Sequence, residues 1–250
     1  MVIVNSDDFG YSKSINMATK KAFDKGYISS TTLLVNMEGY ASAVEMISNN
    51  QIDKNSVGLH INLQEGFPLT EEIKNLNLCN SNGVFNYNFR NDSHFFRDKQ
   101  FLKIVKDEID SQIVRFKNDI VFLPTHIDSH DHTHTEFFML KILAEVLSDH
   151  RINFLRPTRN IGQIKLYKDI YKQIYQFTGR KYGIKFVDYF GSVCDFQNLE
   201  LKKDKIYEME VHCMFKNDVL TDSGRSFKDN EFAFLKSLEL KSYRDISKLC

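Results

Sequence analysis

The stretch that decides the fold is Val2-Ile3-Val4-Asn5-Ser6-Asp7-Asp8-Phe9-Gly10, together with the segment that follows it. Its three β-branched residues predict a short strand that stops at the polar residues after them. Ser12 is a suitable N-cap for an amphipathic helix to about Lys25. Thr31-Thr32-Leu33-Leu34-Val35 then predicts a second strand. A strand, a helix and a strand in this order predict parallel pairing through a crossover helix.

The same alternation continues along the chain. Further strands are predicted at Val57 to Leu63, Val121 to Leu123, Asn153 to Leu155, Ile184 to Val187 and Ile206 to Val211. Further helices are predicted at Tyr40 to Ile47, Phe101 to Phe116, Glu136 to Leu147, Ile164 to Phe177 and Glu231 to Leu238. The 250 residues contain no internal repeat and no linker. They predict one α/β domain, residues 1–250, with the length of a single (β/α) barrel.

One region, Gln64 to Gln100, is too long for an ordinary connection. It follows the third predicted strand and is rich in asparagine and in aromatic residues, namely Phe85, Tyr87, Phe89, Phe95 and Phe96. Two interpretations stay open. The region is either a solvated insertion, or a lid whose rings stack on a ligand at the mouth of the barrel.

The richest chemical signal is the run His126-Ile127-Asp128-Ser129-His130-Asp131-His132-Thr133-His134, which contains four of the eight histidines. Imidazole and carboxylate are ligands that borderline divalent metals prefer. The run contains no cysteine, so it does not resemble a zinc finger. A polar surface loop or an adventitious metal-binding tract is the alternative. The run directly follows the strand predicted at Val121 to Leu123, which favours a positioned site.

Polar residues also lie at the ends of three other predicted strands. Asp7 and Asp8 follow the first strand, His60 lies at the end of the third, and His212 follows the last. Taken singly, the aspartates could start a turn and each histidine could be a satisfied core residue. In parallel barrels, however, the carboxyl ends of the strands meet at the active site, so these residues are expected to converge with the histidine-rich run. A carboxylate with two imidazoles would hold a catalytic divalent metal.

These residues carry a family resemblance. The segments NSDDFG (5–10), STTLLVN (30–36), GLHINL (58–63) and PTHIDSHDHTH (124–134) resemble the YdjC-type (ChbG/HpnK) carbohydrate deacetylase family. Leu155-Arg156-Pro157 and Glu210-Val211-His212 extend the resemblance into the second half of the chain. It implies a distorted TIM-like (β/α) barrel, one divalent metal ion and removal of the N-acetyl group from an amino sugar.

The resemblance also implies roles for individual residues. Asp8, His60 and His130 would be metal ligands, Asp7 the catalytic base and His212 the acid. His126, Asp128, His132 and His134 are alternative ligands or partners that orient the imidazoles. The chain departs from the family at its last motif, where His-Pro-Gly is replaced by His212-Cys213-Met214. Magnesium and zinc are not distinguished, because mixed nitrogen and oxygen ligation suits several divalent metals.

Arg156, which follows a predicted strand, is expected to bind a hydroxyl or phosphate group of the substrate. The expected ligand is a small N-acetylated saccharide, with a homodimer left open. Two other functions stay open. One is a phosphoesterase with two or more metals, and the other is a sugar-binding protein with a decayed catalytic site.

Composition limits the remaining classes. The 33 basic and 33 acidic residues cancel, which argues against a nucleic-acid or anionic-membrane partner. No apolar run reaches the length of a membrane span. Four widely spaced cysteines without a CxxC pair suit reduced thiols, and the amino-terminal segment lacks the features of a signal peptide. A cytoplasmic protein is therefore expected.

Overall fold

Six parallel strands form the central sheet of the computed structural model, which describes residues 1–89, 97–197, 199–222 and 229–247. The strands are β1 (Val2–Phe9), β2 (Ser30–Leu33), β3 (Val57–Ile61), β4 (Ile127–Ser129), β5 (Tyr189–Ser192) and β6 (Tyr207–Val211). The order across the sheet is β4-β3-β2-β1-β6-β5. A separate antiparallel hairpin pairs β7 (Cys213–Lys216) with β8 (Val219–Asp222).

Helices connect these strands and cover the outside of the sheet. They are α1 (Lys13–Asp24), α2 (Tyr40–Ser48), α3 (Lys99–Ile120), α4 (Phe137–His150), α5 (Leu166–Lys181), α6 (Val193–Phe196), α7 (Asp229–Ser237) and α8 (Tyr243–Ser247). Short 3-10 helices occupy Lys54–Ser56, Glu72–Leu76 and His130–Thr135. Ser12 caps α1 as predicted, its hydroxyl accepting from the Ile15 amide at 3.3 Å. None of the helices in the described ranges combines the length and apolar character that a membrane crossing needs.

The sheet is curled, and backbone bridges extend it beyond its last strand. Ile127 of β4 bridges to Leu155, and Phe154 bridges to Lys185, four residues before β5 begins. The fold therefore agrees with the predicted α/β class and is consistent with a TIM-like arrangement. The segments predicted as strands at Asn153 to Leu155 and Ile184 to Val187 contribute only these bridges, and the regular strand starts later, at Tyr189.

The main apolar core lies between the sheet and helices α2, α3 and α4. The predicted inner face of α3 is buried as expected; it comprises Phe101, Ile104, Val105, Ile109, Ile113 and Phe116. Burying each of these side chains contributes about 2 kcal/mol. This packing holds β3 and β4 in fixed positions, and these strands carry two of the polar segments singled out in the sequence.

Two strand predictions need correction. The first strand does not stop at Asn5 but continues to Phe9, so Asp7 and Asp8 lie within it. The strand predicted at Val121 to Leu123 is wrong. α3 continues to Ile120, Val121 ends it in a left-handed conformation with φ 54°, and β4 begins at Ile127. The true strand is polar in two of its three positions. Ile127 packs in the apolar core, whereas Asp128 contacts His60 and Ser129 lines the site.

The aromatic region from Gln64 to Gln100 contributes to the core. Phe85 and Phe89 are buried, and the Phe89 ring packs 5.8 Å from that of Phe138 on α4. These two rings are therefore not free to stack on a ligand at the mouth. Phe95 and Phe96 lie outside the described residues, and a lid in this region stays a prediction.

Candidate active site

Both adjacent aspartates of β1 line one cavity, although side chains in a regular strand alternate between faces. The pairing of β1 with β2 shifts in register between Ser6 and Phe9, and Asp8 has a positive φ of 65°. Such an irregularity re-aims side chains at the end of a strand. It therefore allows Asp7 and Asp8 to face the same space.

The cavity has a volume of about 310 Å³ and lies at the carboxyl ends of the strands. It is lined by Asp7, Asp8, His60, Ser129, His130, Asp131, His132, Glu210 and His212. The four separate polar segments of the sequence therefore converge, as parallel strands predict.

Asp8, His60 and His130 form one cluster of potential ligand atoms, all within 4.8 Å of one another. The Asp8 Oδ1 atom lies 3.0 Å from His130 Nδ1 and 3.4 Å from His60 Nε2. One carboxylate oxygen and two imidazole nitrogens directed at a common point are a donor set that suits a divalent cation with open positions. The described residues thus include a group that could hold a metal ion.

The orientation of His60 is fixed from behind the cluster. Its Nδ1 atom lies 2.6 Å from Asp128 Oδ1, which directs Nε2 toward Asp8. Thr32 Oγ1 donates to the other oxygen of Asp128 at 3.0 Å. Asp128 therefore takes the orienting position that is common behind metal-bound imidazoles.

Asp7 is buried and held by a guanidinium. Arg156 donates from Nη1 to Asp7 Oδ2 at 2.6 Å and from Nη2 to Asp7 Oδ1 at 2.7 Å. Asn5 Nδ2 adds a hydrogen bond to Oδ1 at 2.8 Å. Burial alone would raise the pKa of Asp7, but the charge and hydrogen bonds of Arg156 outweigh it and hold the pKa well below its usual value. Asp7 is therefore a fixed carboxylate.

Arg156 lies beneath the cavity rather than in it. Its side chain has no exposed surface, and it also contacts Asp128 at 2.9 Å and donates from Nε to Glu208 at 2.7 Å. A guanidinium that binds substrate needs access to the cavity. The position of Arg156 therefore favours a role in holding Asp7 over the predicted contact with the sugar.

His212 lines the cavity from the link between β6 and β7. Its Nδ1 atom is 3.8 Å from Glu210 and 3.9 Å from Asp222. Burial lowers the pKa of His212, but the negative charges of Asp7 and Glu210 outweigh it and raise the pKa above its usual value. A protonated imidazole at this position can donate a proton to a bound group.

Cys213, one of the residues at which the last motif departs from the family, begins β7 and is buried. Burial raises the pKa of its thiol to about 12. The thiol is thus neutral at physiological pH. The departure leaves His212 at the cavity.

The remaining histidines of the run have different surroundings. His132 reaches the cavity, with Nε2 at 3.4 Å from Glu210 Oε2. His126 and His134 are fully buried. The His126 ring stacks on Tyr243 at 3.7 Å, and His134 Nδ1 lies 2.7 Å from Ser129 Oγ. Burial holds the pKa of both well below the usual value, so both rings are neutral. His126 also forms a further group of potential ligand atoms with Asp128 and Glu208.

Sequence reasoning missed two carboxylates of β6 as site residues. Glu210 lines the cavity, and burial raises its pKa. Glu208 lies beneath it, where its Oε1 accepts from Arg156 and its Oε2 accepts from the Tyr243 hydroxyl at 2.5 Å. The available signal was their spacing. Two glutamates at alternate positions of an otherwise apolar strand share a face, and a parallel strand is normally apolar on both faces.

A larger cavity, of about 640 Å³, adjoins the site at Tyr11. The Tyr11 ring lies 6.3 Å from the His130 ring, and it lines this cavity together with Met37, Glu38 and Phe67. Phe67 is largely exposed, in contrast to the buried rings of Phe85 and Phe89. The start of the aromatic region thus lies next to the cluster of Asp8, His60 and His130.

Comparison with known proteins gives consistent results. A family model described as "YdjC-like protein" matches residues 1–245. A carbohydrate deacetylase of Clostridium beijerinckii is 32% identical over 187 residues, which cover 75% of this chain and 71% of that protein. A carbohydrate deacetylase of Danio rerio is 34% identical over 157 residues, covering 62% of this chain but only 49% of that protein. This match therefore spans about half the length of the fish relative.

A solved structure from Enterococcus faecalis V583, described provisionally as a cellobiose-phosphate cleavage protein, has a similar fold. It superposes with a TM-score of 0.70 and covers 98% of both chains at 20% sequence identity. At this sequence identity, the similarity shows a shared fold and nothing about activity.

Proposed function

Because this chain belongs to the YdjC-like family, we propose that it is a metal-dependent deacetylase. It hydrolyses the acetamide of a small N-acetylated amino sugar or oligosaccharide and releases acetate. The observation that carries the proposal is the cavity in which the Asp8–His60–His130 cluster lies beside the fixed carboxylate of Asp7. The relatives named carbohydrate deacetylase support the reaction class.

Asp8, His60 and His130 would hold one divalent cation, magnesium or zinc. The chemistry that such a cation supplies when bound is polarisation of the acetyl carbonyl and acidification of a water molecule. The support is the donor set itself and the Asp128 carboxylate, which leaves His60 Nε2 free to face the cluster.

Asp7 would accept the proton of the attacking water as the carbon–oxygen bond forms. Arg156 holds Asp7 as a carboxylate and fixes its orientation. A fixed base contributes more than a mobile one, because little reorganisation accompanies the proton transfer.

His212 would donate a proton to the departing nitrogen as the carbon–nitrogen bond breaks. The second proton of the water leaves the new carboxyl group and is taken up by the amine, so the products are acetate and the protonated amine. The proton that Asp7 gained balances the one that His212 lost. The raised pKa of His212 suits an acid that must be protonated before the reaction. The negative charge of Glu210, whose Oε1 atom lies 3.8 Å from His212 Nδ1, contributes to this raised pKa.

The sugar ring would occupy the space between this site and the adjoining cavity. Tyr11 and Phe67 offer aromatic surface to the apolar face of a pyranose. We read residues 1–250 as one catalytic domain on a distorted TIM-like barrel. The region 64–100 provides the cavity wall near Phe67, and Arg156 acts through Asp7 rather than on the sugar.

Acetate release by the metal-loaded protein tests the proposal. N-acetylated monosaccharides, disaccharides and nucleotide sugars form the substrate panel, with metal-depleted protein as the blank. Asp7→Asn is expected to keep its metal and to lose about a thousandfold or more in kcat, since it retains shape but loses basicity. Asp204→Asn, which removes an exposed carboxylate away from the site, is the matched control. Near-normal turnover by Asp7→Asn would overturn the base assignment.

A phosphoesterase is the second candidate, and one observation favours it. Asp7, Glu210 and His212 form a further group whose ligand atoms lie within 4.8 Å of one another. Two such groups in one cavity resemble the two-metal arrangement of phosphate-cleaving sites. Metal analysis separates the candidates: one ion per chain supports the deacetylase, and two or three support the phosphoesterase. A sugar-binding protein without activity would bind saccharides in calorimetry while releasing no acetate.

A further inference from the structure

A series of hydrogen bonds links the Asp7 carboxylate to helix α8 near the carboxyl end of the chain. Arg156 binds both oxygens of Asp7 through its Nη atoms and donates from Nε to Glu208 Oε1 at 2.7 Å. Glu208 Oε2 in turn accepts from the Tyr243 hydroxyl at 2.5 Å. All four side chains are buried. These four residues, Asp7, Arg156, Glu208 and Tyr243, are called the Tyr243 chain below.

The backbone of α8 is anchored at the amino-terminal end of β1. Leu240 bridges to Val2, and the Lys241 amide donates to the Val2 carbonyl at 2.8 Å. The amide and the hydroxyl of Ser242 both donate to Asp245 Oδ2 at 2.9 Å, which fixes the start of the helix. Helix α8 therefore has a defined position at one end of the sheet, whereas the site lies at the carboxyl ends of the strands.

The ring of Tyr243 is fixed by its neighbours. It stacks on the His126 ring, with 3.7 Å between the ring centroids and 11° between the ring planes, and it packs edge-on against Phe154 at 5.6 Å. Ile3, which pairs in register with Glu208, belongs to the same buried cluster as Tyr243. A buried tyrosine held in this way directs its hydroxyl at one partner, and that partner is Glu208.

The position of the Arg156 guanidinium depends on several carboxylates. Besides Asp7 and Glu208, it contacts Asp128 at 2.9 Å, and Glu210 Oε2 lies 3.8 Å from Nη1. Because each of these negative charges attracts the same cation, its orientation is a balance between them. The hydrogen bond from Nε to Glu208 favours the orientation in which both Nη atoms face Asp7.

Glu208 holds Arg156 in this way if its own carboxylate is fixed. The terminal torsion of a glutamate has broad preferences, so hydrogen bonds determine where its two oxygens lie. Arg156 itself binds one oxygen, and among the described residues the Tyr243 hydroxyl supplies the donor to the other. Removal of that hydroxyl would take this donor from a buried acceptor and would let the carboxylate turn.

We propose that Tyr243 is a positioning residue, which through Glu208 and Arg156 fixes the orientation of the Asp7 carboxylate in the site. Helix α8, at the amino-terminal end of the sheet, thereby contributes to the reaction at the carboxyl ends of the strands. The inference rests on the proposed function, in which Asp7 takes the proton of the attacking water. A base that is turned away from the water lowers the rate without lowering the affinity for the sugar.

Acetate release by Tyr243→Phe tests the proposal, because phenylalanine keeps the ring and removes the hydroxyl. We expect kcat to fall about tenfold while KM changes by less than about twofold, since the hydroxyl acts on the base and not on the sugar. Tyr207→Phe is the matched control and should keep the wild-type kcat. Tyr207 is buried on β6, and its hydroxyl accepts from the Lys202 amide at 2.9 Å. Turnover by Tyr243→Phe at the wild-type rate would overturn the proposal.

Double variants test whether the effect passes along the Tyr243 chain. In an Asp7→Asn background, Tyr243→Phe is expected to change kcat by less than about twofold, because no base is left to orient. Tyr243→Phe is likewise expected to add little to the loss that Glu208→Gln causes. A merely structural role of Tyr243 would give the same fractional loss in every background. Losses that multiply in this way would overturn the path through Glu208 and Arg156.

A crystal structure of Tyr243→Phe separates this inference from the proposed reaction. It is expected to show a turned Glu208 carboxylate and the loss of at least one of the two hydrogen bonds between Arg156 and Asp7. If the wild type releases no acetate from any N-acetylated sugar while the variant shows this change, the proposed function fails and the positioning of Asp7 by Tyr243 stands. An unchanged pair of Arg156 and Asp7 would overturn the inference whatever the protein catalyses.

Discussion

At the scale of single residues, the site depends on one buried guanidinium. Arg156 contacts Asp7, Asp128 and Glu208, and none of these side chains has appreciable exposed surface. Removing one partner from such a group leaves an uncompensated buried charge, which costs about 3–5 kcal/mol. Arg156 is therefore important for the stability of the fold as well as for the orientation of Asp7.

Glu208 gives this network a measurable pH dependence. Burial raises its pKa, and although Arg156 and the Tyr243 hydroxyl lower it, the pKa remains at about 7. Because the pKa of an unfolded glutamate is about 4.3, the folded state holds this proton more tightly. The contribution of Glu208 to the free energy of unfolding is thus greatest at low pH, and it is lost as the pH rises through about 7.

We therefore expect the stability of the wild type, relative to Glu208→Gln, to decrease by about 3 kcal/mol between pH 4 and pH 8. Urea unfolding at a series of pH values measures this difference. Glu200→Gln, at an exposed position, serves as the control and should show no such trend. A stability difference that is constant across the series would contradict the assignment.

At the scale of elements, the close approach of β3 and β4 depends on Gly58. A Cβ atom at this position would lie 2.5 Å from the His126 ring and 2.8 Å from the His126 carbonyl oxygen. Glycine within a strand commonly marks such an approach. Since β3 carries His60 and β4 carries Asp128, the distance between these strands also determines how well Asp128 orients His60.

Gly58→Ala is therefore expected to destabilise the protein by about 2–3 kcal/mol, as in other overpacked sites. Gly183→Ala is the control. It has open space around its Cβ position and a positive φ of 85°, so only backbone strain of about 1 kcal/mol is expected. Thermal unfolding of both variants provides the measurement. Equal losses in the two variants would show that the contact with His126 is unimportant.

The elements also explain how far the sequence could predict this molecule. α1, α3 and the parallel pairing follow from apolar periodicity and a serine cap, and these predictions are confirmed. Strand β4 was placed too early and β1 was ended too soon. Both errors have one cause. Asp7, Asp8 and Asp128 are strand residues that face the site, so the apolar pattern on which strand prediction relies is missing where the function resides.

The same reasoning applies to the site. Asp7, Asp8, His60, His130 and His212 were singled out in the sequence and line one cavity in the structure, while their roles stay predictions. Glu208, Glu210 and Tyr243 were not singled out as residues of the site. Their positions depend on contacts between segments far apart in the chain, and a single sequence offers only weak signals for such contacts.

At the scale of the whole molecule, metal binding and folding are expected to be coupled. Asp8 lies on β1, His60 on β3, and His130 in the 3-10 helix after β4. The cluster therefore exists only when the sheet is assembled. A ligand that binds only the folded state stabilises it by about 2.7 kcal/mol at a hundredfold excess over its Kd. Metal should therefore raise the Tm of the wild type.

Differential scanning calorimetry with added zinc or magnesium, and with a chelator, measures this shift. Asp8→Ala is expected to lose it, while Asp7→Asn retains it, because Asp7 does not belong to the proposed ligand set. An Asp8→Ala variant whose Tm responds to metal like the wild type would place the ion elsewhere.

The partnership of Asp7 with Arg156 has a consequence for synthesis on the ribosome. The two residues are 149 positions apart, which corresponds to a delay on the order of ten seconds at usual translation rates. During that interval the nascent first strand carries a carboxylate whose counter-ion has not yet been made. The amino-terminal half of the chain therefore cannot close around Asp7 in the native manner, and this carboxylate becomes buried only after most of the chain has emerged.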